Sequence, residues 1–188
     1  MTNMDKLRCA WTGNIPIMND YHDNEWGRPL FDDLKLFEFL ILESMQAGLS
    51  WLTILRKREG CKEAFDNFDP KRIALYDDNK IEELMSNDKI IRNRLKILAA
   101  INNAKVYLEI TYKESFSQLL WSYVNHKPII GYRQKIEDIP ATTPISDKLS
   151  KDLKKLGFKF VGSTTIYAFM QATGMVNDHI KGCYLYQD

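Results

Sequence analysis

The sequence predicts an all-α fold, a single globular domain of many short helices covering residues 1–188. Three observations predict it. Apolar residues recur at three-to-four spacing along most of the chain, the period of a helix with one buried face. Residues that start and stop helices recur at short intervals, so no helix is long. Strand-like alternation is nearly absent, with Phe158-Lys159-Phe160-Val161 the one short candidate. Hydrophobic residues at 45% and aromatics at 12% suffice to fill a core, which excludes an intrinsically disordered chain.

Each element follows from its residues. Asp32-Asp33 precede Leu34, Leu36, Phe37, Leu40 and Ile41, placing acids at the positive end of a helix dipole. Gly48 ends that helix, and Ser50 caps a second one carrying Trp51, Leu52 and Leu55. Asp69-Pro70 is an N-cap followed by proline at the first helical position. Ile81, Leu84 and Met85 continue the pattern, then Ile91, Leu95, Leu98 and Ile101 as an apolar stripe, then Phe116, Leu119, Leu120 and Tyr123. Pro128, Gly131, Pro140 and Pro144 make residues 125–144 the longest loop. Helices resume over residues 146–156 and 163–173, separated by Gly157 and Gly162.

Charge and cysteine usage narrow the function classes. The net charge is +1, so the protein carries no overall polycationic coat. The charges are nevertheless segregated: Lys89, Arg92, Arg94, Lys96 and Lys105 form a run without acids, Lys148–Lys159 is a second lysine-rich run, and acids concentrate in Asp20–Glu43. Either basic run is a phosphate-binding face or a solvated helix face. The N-terminal segment has no apolar stretch of the signal-peptide kind, and no run approaches the ~20 residues that span a bilayer. The three cysteines are an odd number, which fits a disulfide framework poorly, so a reduced, cytoplasmic protein is expected.

Two clusters carry candidate chemistry. Cys9 and His22 lie near one end of the chain, His179 and Cys183 near the other. A helical turn over Asp178–Tyr184 puts the second pair on one face, and two Cys with two His complete a tetrahedral zinc shell. Spacing alone leaves open whether they are ligands or ordinary residues. Trp11, Tyr21, Trp26 and Trp51 surround acidic motifs, and helical phase sets Glu43 on or beside the apolar side of its helix. A carboxylate there needs a partner or a cationic ligand.

These stretches resemble the 3-methyladenine DNA glycosylase I family, the zinc-containing helix-hairpin-helix DNA glycosylases. The resemblance rests on Cys9-Ala10-Trp11, Tyr21-His22-Asp23-Asn24-Glu25-Trp26-Gly27, Leu42-Glu43 with Gln46-Ala47-Gly48-Leu49-Ser50-Trp51, Leu120-Trp121-Ser122-Tyr123-Val124-Asn125-His126, Gly157-Phe158-Lys159-Phe160-Val161-Gly162 and Val176-Asn177-Asp178-His179. It covers Cys9 to Cys183 in the family's order. It implies a structural Zn2+ held by Cys9, His22, His179 and Cys183, joining the terminal segments. It also implies a base pocket lined by Tyr21, Trp51 and Trp11, with Glu43 as the catalytic carboxylate, and excision of 3-methyladenine from alkylated double-stranded DNA with the free base as product. Arg92, Arg94 and Lys96 are the expected phosphate contacts. No lysine stands out as a nucleophile, so a monofunctional, monomeric enzyme without strand cleavage and without a membrane partner is expected. Two departures stand out: Met18 occupies a place where the family often has an aromatic pocket wall, and the expected hairpin Asn87–Arg92 lacks a glycine. The alternative is a non-enzymatic, zinc-stapled helical module that binds nucleic acid, and a small-molecule zinc hydrolase is disfavoured because four protein ligands leave no open position.

Overall fold

Side-chain oxygens open most of the helices. In the computed structural model, which describes residues 6–187, α1 (Pro16–Asn24) starts with proline in its first turn. Asp32 caps α2 (Asp33–Gln46) by accepting from the Lys35 N–H, and Ser50 caps α3 (Trp51–Ala64) by accepting from that of Thr53. Asp69 opens α4 (Pro70–Ile73), Asp77 opens α5 (Asp78–Ser86), and Asn93 opens α6 (Arg94–Thr111). Ser115 and Thr143 do the same for α7 (Phe116–Ser122) and α8 (Pro144–Lys155). Each cap satisfies an N–H that the helix cannot, a contribution of about 1 kcal/mol. Ile15, before α1, and Gly162, before α9 (Ser163–Ala172), make no such side-chain bond.

Helix α2 is the axis of the core. Leu36, Phe37, Leu40 and Leu42 are completely buried, and the helix packs on α3, α6, α7 and α9. A helix surrounded in this way buries its polar residues too, and Glu38, Glu43 and Ser44 are all inside. Gly48 follows at φ +81°, a left-handed conformation that lets the chain turn back into α3.

Three local expectations are corrected. The stretch Phe158–Val161 is a bent loop between α8 and α9, not a strand. The Asn103 side chain takes both backbone groups of Lys159 (2.8 and 3.0 Å), Ser150 takes the Val161 carbonyl (2.6 Å), and Phe160 turns left-handed at φ +55°. Ladder pairing occurs instead between β1 (Ile129–Ile130) and β2 (Val176–Asn177), a parallel pair with Ile129 opposite Val176. On α6 the buried stripe is Ile97, Ala100, Ile101 and Ala104, whereas Leu95 is 68% exposed and Leu98 41%. Six of the first nine residues of α6 are apolar and spread over more than one face, and the small alanines set which face packs closest. Residues 178–184 form turns, not a helix, with the Cys183 N–H donating to the Ile180 carbonyl (2.9 Å). Among the described residues no helix is long and apolar enough to cross a membrane.

Candidate active site and metal centre

Consecutive residues of α1 supply two different sites, because a step of about 100° around a helix turns neighbours to different faces. His22 points toward Cys9, His179 and Cys183. Cys9 precedes a short 3-10 turn (Ala10–Thr12), His179 follows β2, and Cys183 lies in the final turn. All four are buried, and one donor atom from each lies within 4.8 Å of the others. Cys183 Sγ is 3.4 Å from His22 Nε2 and 3.5 Å from His179 Nδ1, and Cys9 Sγ is 3.6 Å from His179 Nδ1. Bonds of about 2.3 Å to sulfur and 2.0–2.1 Å to nitrogen at tetrahedral angles set S···N edges near 3.5 Å. The four donors therefore fit a single tetrahedral ion. The loss of the expected helical turn costs the site nothing, since the turn at Ile180–Cys183 brings the same two atoms together.

The surroundings support that use. His22 Nδ1 lies 2.9 Å from Asp23 Oδ1, which fixes Nε2 as the inward-facing nitrogen. Arg8 grips the same carboxylate with Nε and Nη2 (2.9 and 2.7 Å). Burial works against the Asp23 carboxylate, but the hydrogen bonds from Arg8 and His22 outweigh it and hold it well below the usual carboxylate range. The Cys9–Cys183 contact pushes the Cys183 thiol down and the Cys9 thiol up. The pair thus competes for one proton, a conflict that a bound cation removes.

Tyr21 faces the other way, into a cavity of about 350 Å³. Trp11, Trp26 and Trp51 line it with Tyr21, and Glu43 and Gln46 from α2 contribute its polar side. The rings meet at steep angles: Trp11 and Tyr21 at 61°, Tyr21 and Trp51 at 48° with centroids 5.2 Å apart. Three buried polar atoms here have no hydrogen-bond partner among the described residues: Trp11 Nε1, Trp51 Nε1 and Glu43 Oε2. Native interiors rarely leave such groups unpaired, and three around one cavity mark a site that a ligand completes. Burial alone pushes the Glu43 carboxyl up to about 8. Burial, and then the nearby Glu43, pushes the Tyr21 phenol well above its ordinary value, so it stays a neutral donor.

The base-pocket residues expected from the sequence thus come together, and the four ligand residues do too. Met18 is buried in the core and does not line the cavity. Lys96 is corrected outright. It is 7% exposed, and its ammonium donates to the Met45 and Ala47 carbonyls (2.9 and 2.6 Å), the open C-terminal end of α2. A lysine so engaged has no phosphate to reach; it secures the turn between Glu43 and Trp51. Arg92 and Arg94 are exposed at the opening of α6, Arg94 in an ion pair with Glu82. Sequence reasoning missed Ile136 and Ile139 of the long loop and Ala168 and Gln171 of α9, which complete the cavity. Nothing local marks them, because they reach it only through the packing of α8 and α9. A half-buried network ties the walls together: Arg58 of α3 bonds Glu25 at the end of α1 (2.7 Å) and Glu38 of α2 (2.9 Å).

Comparison with known proteins places this arrangement. The family profile described as "Methyladenine glycosylase" matches residues 11–186. A "DNA-3-methyladenine glycosylase" of Haemophilus influenzae is 51% identical over 177 residues, covering 94% of this chain and 96% of the relative. The crystal structure of a 3-methyladenine DNA glycosylase I superposes with a TM-score of 0.94 at 49% identity, covering 96% of this chain and 100% of that one. A variant of a 3-methyladenine DNA glycosylase I solved in complex with 3-methyladenine superposes with a TM-score of 0.92 at 41% identity, over 96% and 98% of the two chains.

Proposed function

Because the chain belongs to the methyladenine glycosylase family and is a DNA glycosylase acting on 3-methyladenine, we propose that it flips the methylated nucleotide from duplex DNA and hydrolyses its N-glycosidic bond without cutting the strand. The reading adds a monomeric protein and a structural zinc on Cys9, His22, His179 and Cys183. The observation that carries it is the set of three unpaired polar atoms in one aromatic cavity.

The chemistry needs little beyond recognition. Adenine methylated at N3 in a nucleoside is cationic, so the C1′–N9 bond breaks with its electron pair passing to the ring, which leaves neutral. Water adds to C1′, and its proton passes to solvent. Flipping costs a few kcal/mol, returned by contacts inside the cavity. Trp51 and Trp11 meet the cationic ring with about 0.5–2 kcal/mol of cation–π attraction each. Glu43 accepts from the exocyclic amine. With its carboxyl raised to about 8, Glu43 is protonated in the ligand-free cavity at neutral pH. A cationic base draws out its charge, and a neutral adenine does not. Zinc with four protein ligands has no open position and supplies only a cross-link.

For DNA, Arg92 and Arg94 remain the proposed phosphate contacts. They open the helix whose Lys96 holds the turn 47–50 at the cavity's polar side. That turn exposes Leu49, and the shallow groove between α6 and the 158–161 loop adds Lys159. The purely binding module accounts for these charges but assigns no role to the unpaired Glu43 and indoles. The deciding experiment incubates the protein with methylated DNA, identifies released bases by chromatography and sizes the strands. Release of 3-methyladenine from intact strands is expected, and no release, or release with cleavage, overturns the reading.

A further inference from the structure

We propose that Gln171 discriminates adenine-type from guanine-type lesions, and that Asp178 positions it by fixing which end of its amide faces the cavity. The inference rests on the reading of the cavity as a base pocket.

Asp178 is completely buried just after β2. Its Oδ1 accepts from Arg133 Nε (2.8 Å), and its Oδ2 accepts from the Tyr167 hydroxyl (2.5 Å) and from Gln171 Nε2 (2.8 Å). Arg133 Nη2 also donates to the Tyr167 oxygen (3.2 Å), closing the cluster. The approach is tight: a Cβ at Gly131 would lie 2.0 Å from Asp178 Oδ1, so only glycine fits there. A carboxylate paired with an arginine accepts hydrogen bonds and donates none. The neighbouring amide must therefore turn its NH2 toward Asp178. Its other end, Oε1, is left to the cavity that Gln171 lines, and among the described residues no donor bonds it.

The cavity thus holds a second acceptor, on α9, besides Glu43 on α2. A 3-methyladenine ring offers one strong donor group, the amine at C6. A 3-methylguanine ring has an oxygen at that position, and an acceptor facing it leaves both atoms buried and unpaired. Both lesions are cationic in the nucleoside. Charge attraction by Glu43 therefore cancels in a comparison of the two, whereas the hydrogen bonds that Glu43 and the fixed Gln171 acceptor take from the amine do not.

The test uses DNA methylated to contain both lesions and measures the ratio of their single-turnover release rates. Gln171→Met keeps the side chain's length and the backbone bond from the Gly27 N–H to the Gln171 carbonyl (2.9 Å) but removes the acceptor. We expect it to lower the 3-methyladenine to 3-methylguanine ratio about five- to tenfold. Asp178→Asn offers an N–H to Gln171 and allows the amide to reverse, so the ratio should fall further at equal folded fraction. A merely structural role lowers both rates together. An unchanged ratio in Gln171→Met overturns the assignment, and an unchanged ratio in Asp178→Asn overturns the positioning role. Failure of the wild-type protein to release 3-methyladenine overturns the underlying reading instead.

Discussion

The Cys/His cluster and the aromatic cavity share α1 and lie back to back, yet their polar groups are treated in opposite ways. Around His22 nearly every donor and acceptor is answered: imidazole by Asp23, Asp23 by Arg8, thiol by imidazole. Around Tyr21 the answers are withheld, and Glu43 and two indoles are buried without partners among the described residues. Burying an unpaired polar group costs about 1–3 kcal/mol, so the cavity is maintained at the expense of stability, which a cation held by the cluster would offset by fastening the chain. Saturation marks a site built to hold one thing permanently. Its absence marks a site built to hold something briefly.

The contrast can be broken first at the saturated side. Cys183→Ser should remove the ion and lower stability by about 3 kcal/mol or more, roughly 6–12 °C in a chain of this size. Thermal melts with and without chelator check this, and wild-type protein that carries no stoichiometric zinc and ignores chelator would sink the metal assignment. On the unsaturated side, Glu43→Gln should slow 3-methyladenine release about ten- to a hundredfold, the worth of one charged hydrogen bond of ~1.5–3 kcal/mol. Equal single-turnover rates would mean that the cavity is not the reacting site.

The same substitution should stabilise the free protein, with a defined pH dependence. Below the ordinary value of 4.5 the carboxyl is protonated folded and unfolded, and the two proteins melt alike. Between 4.5 and about 8 only the unfolded chain ionises, so wild type loses stability as pH rises, and above 8 the gap is constant. By pH 7 the variant should be ahead by about 3 kcal/mol. Melting curves at pH 5 and pH 8 with the same gap would show that Glu43 is not desolvated. The smallest effects belong to DNA binding. Arg92→Ala and Arg94→Ala should each reduce the salt slope of log K by about 1, whereas Lys96→Met should leave the slope unchanged and slow excision through the loosened 47–50 turn. A slope that falls with Lys96→Met would restore that lysine to the phosphate face.

What was legible in the sequence was what residues do to their near neighbours. Asp32, Ser50 and Asp69 act as the caps their positions suggested, and Glu43 is buried as helical phase required. The gathering of Cys9, His22, His179 and Cys183 was legible because few Cys and His exist and their positions matched a family pattern. The failures are all long-range. Lys96 sits in a basic run, but its partners are carbonyls about fifty residues away. Asp33 looked like a dipole-pairing acid for its own helix, yet its carboxylate caps α7, accepting from the Phe116 and Ser117 N–H groups. Gln171 resembles any polar residue of an amphipathic helix until Asp178 is placed against it. Apolar periodicity says that a face is buried, not what it is buried against.

The tryptophans of the cavity also stand against the ligand histidines. Trp11 lies 5.4 Å from the His22 ring and Trp26 lies 4.7 Å from that of His179, edge-on. Indole emission responds to neighbouring imidazoles and to stacked bases alike, so the same two chromophores watch both compartments. Metal loading and base capture should each change their fluorescence. A titration of one in the presence of the other then reads directly whether the permanent guest alters the hold on the transient one.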